Sequence, residues 1–419
     1  MCIGCGICQS IAGPDQIEMR LVQNGTERPI VKSTPGDTTI DKIMRICPGA
    51  RIEGLPDHLV ESDSQYDEMW GIWREIVLAW SAEPRVRYMG STGGLLTALG
   101  LYLIESQQVD FLLHATASQR YPSFGRRFIS RNRQDVLRAA GSRYGPTAAL
   151  VDIVQILEQC EESGETFGFI GTPCDVTALR NLGAEDPRVG RFCKYQLAMV
   201  CGGFMMPSGQ QDLLKQWDIL MKDITALRYR GYGCPGPSRI ETSDGAVTEI
   251  NYVDFWGQDD SAWQLPFRCK MCADGIGDAA DIAVSDTWEG GAPAREGQDR
   301  DPGTNAALIR TVAGQQLIAE AVAAGYVSLG NRLTPRDMDR FQPHQKVKKQ
   351  SMWSRFVGMR AAGNVVPDVH GLRLKPLARR NSLSENLAQA RGARQRCRDG
   401  SNREQTPAAV EDNRDENAT

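Results

Sequence analysis

The chain lacks an excess of charge of either sign, a long apolar run and any internal repeat. Its 48 lysines and arginines stand against 52 aspartates and glutamates, and the net charge of −4 is dispersed along the sequence. That balance excludes the charge patterns that draw a protein to nucleic acid or to an anionic membrane. No stretch is apolar enough to span a bilayer, and the expectation is that no signal peptide precedes the first cysteine motif. The expectation is a cytoplasmic protein. What is present is 419 residues, 41% of them hydrophobic, enough to bury a large core in two or three domains, and twelve cysteines. In a reducing compartment so many cysteines ask for metal rather than for disulfides.

The run Cys2-Ile3-Gly4-Cys5-Gly6-Ile7-Cys8 spaces three thiols three residues apart, with glycines that let the backbone wrap tightly. Cys47-Pro48 answers it much later. Three evenly spaced cysteines completed by a remote Cys-Pro are the ligation pattern of a bacterial-type ferredoxin, so a 4Fe–4S cluster on Cys2, Cys5, Cys8 and Cys47 is expected. Structural zinc is the rival, but its sites usually present two separated pairs of ligands. Residues 1–55 thus read as a small cluster module, with strands at Glu18–Val22 and Pro29–Val31 about a turn at Asn24-Gly25. The acidic stretch 56–70 reads as a linker.

From residue 71 the chain alternates strands and helices. Glu75–Trp80 reads as a buried strand, and Gly90-Ser91-Thr92-Gly93-Gly94 leads into a buried helix, Leu95–Ile104. A glycine-rich turn at a helix start gathers free N–H groups and suits a phosphate, although close packing alone explains many such turns. A strand at Val109–His114 and an arginine-rich polar stretch, Gln119–Arg138, precede Gly141-Ser142-Arg143-Tyr144 and a helix over Ala148–Gln159. Here cofactor contact competes evenly with ordinary capping by Ser142 or Thr147. The strand Thr166–Ile170 runs into Thr172-Pro173-Cys174 and a helix, so the Cys174 thiol reads either as a nucleophile or as a cluster ligand. The strand Gln196–Val200 delivers Cys201. This alternation argues for an α/β layer with its site at the strand ends.

Strand-like pieces fill 226–256, and then comes Cys269-Lys270-Met271-Cys272, a spacing shared by redox-active, zinc-binding and half-cluster sites. Cys174 and Cys201 could complete a set of four with it. A strand at Ala306–Thr311 and a helix at Gly314–Ala324 are expected to close the domain, which extends to 373. Residues 374–419 are polar and read as a disordered tail, with Cys397 no ligand; Cys160 reads as packing.

Gly90 to Gly94, Gly141 to Tyr144, Gly171 to Cys174, Cys201-Gly202-Gly203, Arg228-Tyr229-Arg230-Gly231, and Cys269 and Cys272 through Asp281 and Asp286 follow one another in a recognisable order. The sequence from about 70 to 350 resembles the coenzyme F420 hydrogenase/dehydrogenase beta-subunit family. That family includes F420-reducing flavin subunits and tetrapyrrole reductases such as 7-hydroxymethyl chlorophyll a reductase and a divinyl chlorophyllide 8-vinyl reductase. There are departures: Thr92 stands in place of a serine, Ser285 in place of a glycine, and Cys234 where a tryptophan is expected.

The resemblance implies a mixed-sheet, flavin-binding α/β core, with FAD held near Ser91, Thr92, Gly93, Gly94, Thr97, Ser142, Arg143, Tyr144 and Thr172. It also implies a second 4Fe–4S cluster on Cys269 and Cys272, for which Cys174 and Cys201 are the expected remaining ligands and Cys193 and Cys234 the reserves. Two clusters and a flavin would join a one-electron donor such as ferredoxin to a two-electron organic acceptor, coenzyme F420 or a tetrapyrrole. The arginines from Arg120 to Arg143 could steer an anionic acceptor. The alternative is an electron-relay subunit of a larger redox complex, and a zinc-stabilised binding protein is a third class. A homo-oligomer is compatible with either redox reading.

Overall fold

The computed structural model describes residues 1–22, 25–256, 264–297 and 301–404. Its centre is an eight-stranded mixed sheet. In chain order the strands are β1 (Glu75–Ser81), β2 (Phe111–Ala117), β3 (Gly125–Ser130), β4 (Phe167–Gly171), β5 (Cys193–Met199), β6 (Ile282–Asp286), β7 (Asn305–Ile309) and β8 (Val327–Arg332). They lie in the order β8-β1-β7-β6-β5-β4-β2-β3. Neighbours β6, β5, β4 and β2 are parallel. β7 runs antiparallel to both β6 and β1, and the edge strands β8 and β3 are also antiparallel to their neighbours.

Short apolar runs form the inner strands because both faces of the sheet are covered. In β2, Leu112 joins one core with Val77, Leu99, Val284 and Leu317, while Phe111 and Leu113 point into the opposite core with Phe169, Leu157 and Leu179. That alternation is the two-residue period of a strand. The helices Leu95–Glu105 and Val312–Ala323 supply the first core, and Ile153–Ser163 and Pro173–Glu185 the second. The ends of β1, β2, β4, β5 and β6 and the start of β7 all meet one edge of the sheet, where α/β folds carry their sites.

Several sequence expectations are corrected. The strand expected at 306–311 does not close the domain; it is β7, in the middle of the sheet between β1 and β6. The helix expected from 148 begins only at Ile153, because the Leu150 N–H donates to the Cys5 carbonyl at 2.8 Å and holds the segment against the N-terminal loop. The arginine-rich stretch contains β3 and the helix Arg133–Ala139. The strands Ile224–Arg228, Ser238–Thr242 and Val247–Ile250 make a separate antiparallel sheet.

Residues 1–55 do not stand apart. Cys5, Ile7 and Ile46 share one core with the main sheet, and Arg51–Glu53 pairs in parallel with Asp368–His370. The stretch 56–70 is not a bare linker: Gln65–Asp67 forms a hairpin with Gly71–Trp73, and Met69 and Trp70 are buried. The expected tail also begins with structure. Helices Leu374–Ala378 and Leu383–Arg398 pack on Pro343–Arg360, where a Cβ on Gly358 would come within 2.0 Å of the Ala390 carbonyl oxygen. Packing through glycine and alanine leaves no strong apolar period to read. Residues 405–419 and Asn24 lie outside the described residues. Among the described residues no helix is long and apolar enough to cross a membrane.

One buried carboxylate ties these parts together. Asp278 accepts from Arg373 Nη2 at 2.8 and 2.9 Å, pairs with Lys349, and lies 3.8 Å from Arg310. Arg310 in turn donates to the Trp70 and Ile72 carbonyls, both at 2.7 Å. Burial opposes ionisation of Asp278, but the three cations outweigh it and hold its pKa well below the usual carboxylate range. Asp278→Ala strands those cations, so we expect it to lower stability by about 3–5 kcal/mol in denaturant unfolding, whereas a surface control such as Asp63→Ala leaves the unfolding midpoint nearly unchanged.

Candidate functional site

The first cysteine set is built on a loop that only glycine permits. Gly4 and Gly6 have φ of 85° and 86°, and a Cβ on them would come within 2.8 Å of the Glu27 carbonyl oxygen and 2.7 Å of Val151 Cα. Cys47 ends the helix Asp37–Ile46 and faces the loop. Cys47 lies within electrostatic range of Cys2, Cys5 and Cys8, and Cys2 within range of Cys8. The Gly4 and Gly49 N–H groups donate to the Cys2 and Cys47 sulfurs at 3.3 and 3.4 Å. Burial pushes the Cys2 thiol up to about 11 and the Cys8 thiol up to about 12.

The second set gathers at the sheet edge. Cys174 lies in the first turn of Pro173–Glu185, which starts on a capping box between Thr172 and Asp175. Cys201 follows β5, with its N–H bonded to the Gly275 carbonyl at 2.7 Å. Cys269 belongs to the short helix Phe267–Lys270, and Cys272 comes just after it. Cys174 is in the fields of Cys201 and Cys272, and Cys201 in those of Cys269 and Cys272. The reserves do not join: the Cys193 sulfur lies by the Tyr195 carbonyl and Cys234 beside Asp301. Among the described residues no three cysteine, histidine or acidic side chains converge as one metal ion requires. A four-iron cluster holds each cysteine on a different iron and so spreads its ligands more widely than tetrahedral zinc.

Two buried charges link the sets. Arg268 is 4% exposed, and its Nη2 donates at 3.0 Å to the carbonyl of Pro48, the residue after Cys47. Burial works against its charge, yet the Cys272, Cys174 and Cys269 sulfurs raise its pKa above the ordinary value. A guanidinium stays charged, and a buried one needs a counter-charge. Among the described residues Arg268 makes no salt bridge to a carboxylate; its charge is felt by the Cys272, Cys174 and Cys269 sulfurs, and burial raises the thiol pKa of Cys174 and Cys269. Thiolates fixed by a metal cluster fit this position. On the other side Asp175 acts on both Cys5 and Cys174, and burial pushes its own pKa up to about 6.

The glycine-rich turn after β1 is closed by groups the sequence did not single out for this role. The Leu95 N–H at the helix start donates to Asn305 Oδ1 at 3.2 Å, and a Cβ on Gly93 would stand 2.7 Å from that oxygen. Thr92 Oγ1 donates to Asp286 at 2.6 Å, and Ser142 Oγ meets Ser91 Oγ at 2.9 Å. Buried Arg230 grips Asp286 at 2.8 and 3.0 Å and the Ser91 carbonyl at 2.7 and 3.0 Å, and reaches the Tyr144 hydroxyl at 3.2 Å. Ser91, Thr92, Gly93, Gly94, Ser142 and Tyr144 are thus brought together. Thr97 lies half-buried on the helix that follows. Arg143 turns to the Leu227 carbonyl at 2.8 Å. Thr172 goes elsewhere, to the Cys174 sulfur at 2.9 Å. Arg230 and Asp286 both stand in the ordered motifs that carry the family resemblance, but nothing local in the sequence pairs them.

Residues 76–155 match the family model of the N-terminal part of the coenzyme F420 hydrogenase/dehydrogenase beta subunit, and residues 164–332 match that of its C-terminal part. The chain belongs to this family. Both models exclude the first cysteine set and between them include the second, together with the glycine-rich turn, Arg230 and Asp286. The beta subunit of F420-dependent formate dehydrogenase 1 from Methanococcus maripaludis is 25% identical over 255 residues, 60% of this chain and only 60% of that relative's length. The coenzyme F420 hydrogenase subunit beta of Methanococcus voltae is 23% identical over 312 residues, 71% of this chain and 99% of that protein. A chain of the F420-reducing NiFe hydrogenase complex from Methanosarcina barkeri superimposes with a TM-score of 0.49 at 19% identity, over 69% of this chain and 96% of that one.

Arg268→Met removes the cation from the second cysteine set; of the first set it loses only the bond to the Pro48 carbonyl, while the Cys2–Cys8 loop keeps its glycines. Anaerobically purified, this variant is expected to keep roughly half the parent's iron per chain, since partners just outside a ligand shell tune metal affinity 10–100-fold. Full iron would mean that the guanidinium serves packing alone.

Proposed function

We propose that the chain is an iron–sulfur flavoprotein oxidoreductase that passes electrons between a one-electron carrier of the ferredoxin type and a two-electron organic acceptor. The reading rests above all on one observation: eight cysteines fall into two adjacent sets of four, bridged by Arg268 and Asp175. Cys2, Cys5, Cys8 and Cys47 would hold one 4Fe–4S cluster, and Cys174, Cys201, Cys269 and Cys272 a second, with FAD at the turn Ser91–Gly94. When bound, the clusters exchange single electrons and the flavin exchanges pairs.

The protein's part is to position these groups and to settle their charges. Arg268 offsets the charge of ligating thiolates, and the N–H groups of Gly4 and Gly49 bond two sulfurs, a contact that tunes cluster potential. Arg230 and Asp286 neutralise each other and fix the turn against the end of β6, so that its hydroxyls are held in place. Twelve unpaired cysteines suit a reducing cytoplasm. Coenzyme F420 is the favoured acceptor because the relatives carry it in their names, and a tetrapyrrole is the alternative. A second reading, an electron-relay subunit of a larger redox complex, is supported by those relatives being named as subunits. Turnover by the isolated chain would oppose it, and stable co-purification with a partner would favour it.

The decisive measurement is an absorbance spectrum of anaerobically purified protein with iron, sulfide and flavin counted per chain. The expected result is about eight irons, about eight sulfides and about one FAD. Zinc without flavin would overturn the reading.

A further inference from the structure

The second half of the helix Leu383–Arg398 carries Arg391, Arg394, Arg396 and Arg398, and its one acid, Glu385, is taken up by the capping box with Ser382 at the other end. Asp399, which follows, accepts from Gln395 instead. Among the described residues none of these four arginines, nor Lys270, Lys348 or Arg355, forms a salt bridge. Arg391, Arg394 and Arg398 are exposed and recur at spacings of three and four, so they share one stripe, which the exposed Leu383 and Leu387 continue toward the helix start. Arg396 lies off that stripe, within electrostatic range of Lys270 and Arg355. Burial, and next the Arg396 charge, lower Arg355 to about 10, so like charges are crowded here with nothing to offset them.

The helix is fastened to both cysteine sets. Arg355 Nε donates to Gln389 Oε1 at 2.9 Å, and its Nη1 donates at 2.8 Å to the carbonyl of Lys270, inside the Cys269–Cys272 loop. Two turns earlier on the face of Pro343–Arg360 that carries Arg355, Lys348 Nζ donates to the Cys201 carbonyl at 3.4 Å. At the far end Cys397 shares an apolar cluster with Met271 and Met1, and Glu404 pairs with Arg28, whose charge is felt by Cys2. Both family models end at or before residue 332, so this surface is built from the part of the chain beyond them.

A second copy of the chain is a poor occupant, because it would set arginine against arginine. Nucleic acid also takes arginine-rich helices, but a phosphate backbone gains nothing from Leu383 and Leu387, whereas a protein interface joins apolar contacts to a charged rim. We propose that the stripe of Leu383–Arg398, flanked by Lys270, Lys348 and Arg355, is the docking surface for an acidic one-electron carrier protein. The surface stands on these contacts; that its partner carries electrons rests on the flavoprotein reading. Docking here sets such a carrier against the Cys269–Cys272 loop.

The test uses the full-length protein with Arg391→Glu, Arg394→Glu and Arg398→Glu combined. Its control combines Lys222→Glu, Arg332→Glu and Arg336→Glu, exposed cations on other elements, and circular dichroism checks that both fold. Binding of an acidic bacterial-type ferredoxin is measured by calorimetry at low and at physiological salt. The parent is expected to bind it, with an affinity that falls at least about 3-fold as salt rises. The stripe variant binds at least about 10-fold more weakly and loses most of the salt dependence, while the control stays within about 2-fold of the parent. A parent that binds no ferredoxin, or a folded stripe variant that binds as the parent does, would overturn the proposal. So would a parent that binds a short DNA duplex more tightly than the ferredoxin, since nucleic acid would then be the occupant. The flavoprotein reading fails separately: zinc without flavin in a parent that still binds ferredoxin through the stripe ends that reading and leaves the docking surface standing. Should the triple reversal fail to fold, Arg391→Gln with Arg394→Gln, which keeps good helix formers on the exposed face, carries the test at about 3-fold weaker binding.

Discussion

A guanidinium cannot shed its charge, and Arg268 is buried where thiols of the second cysteine set are the partners that raise its pKa. Much else in the protein serves that requirement. The hydrogen bond to the Pro48 carbonyl spends one N–H on the segment that presents Cys47 and so draws the first cysteine set to the second. Burial disfavours ionisation of Cys174, Cys201 and Cys269, so counter-charge for Arg268 must come from thiolates stabilised in another way. The proposed cluster would supply that stabilisation; neutral thiols would leave the cation stranded.

The sheet then sets a sequence of sites along one edge. From β1 to β4 the strands deliver the turn at Ser91–Gly94, Asn305, Asp286, Cys201 and Cys174 in that spatial order. Cys5 lies beyond, within reach of Asp175 on the far side of Cys174. A parallel arrangement of β6, β5 and β4 makes this possible, because it aims successive strand ends at the same edge. β7, antiparallel between β6 and β1, begins there, which is how Asn305 comes to receive the Leu95 N–H.

Much of this was legible in the sequence because it is carried by spacing. Three cysteines at intervals of three, a Cys-Pro, a Cys-x2-Cys and a glycine-rich turn before an apolar helix need no partner to be seen. Long-range polar pairs leave no local period. Arg268, Asp286 and Asn305 acquire meaning only when the sheet puts them beside Pro48, Arg230 and Leu95. Thr172, which the resemblance places near the flavin, turns its hydroxyl to the Cys174 sulfur and to Asp175 of the capping box. The helix at Leu383–Arg398 was missed for a compositional reason: Ala390 and Ala393 dock through small surfaces, and Leu383 and Leu387 are exposed.

The packing of residues 1–55 bears on how electrons could travel. A cluster module on a flexible tether would sample many distances from its partner, whereas here Ile7 and Ile46 are buried in the same core as Phe169 and Leu179. Asn181 on Pro173–Glu185 donates to the Ile46 and Arg51 carbonyls at 3.2 and 3.3 Å, and Arg45 forks onto Glu185 at 2.8 and 2.9 Å. The helix that positions Cys174 at its start is therefore clamped along its length to the segment that positions Cys47. Separation of the two sets is a property of one packed core, fixed by the same contacts that hold the fold together.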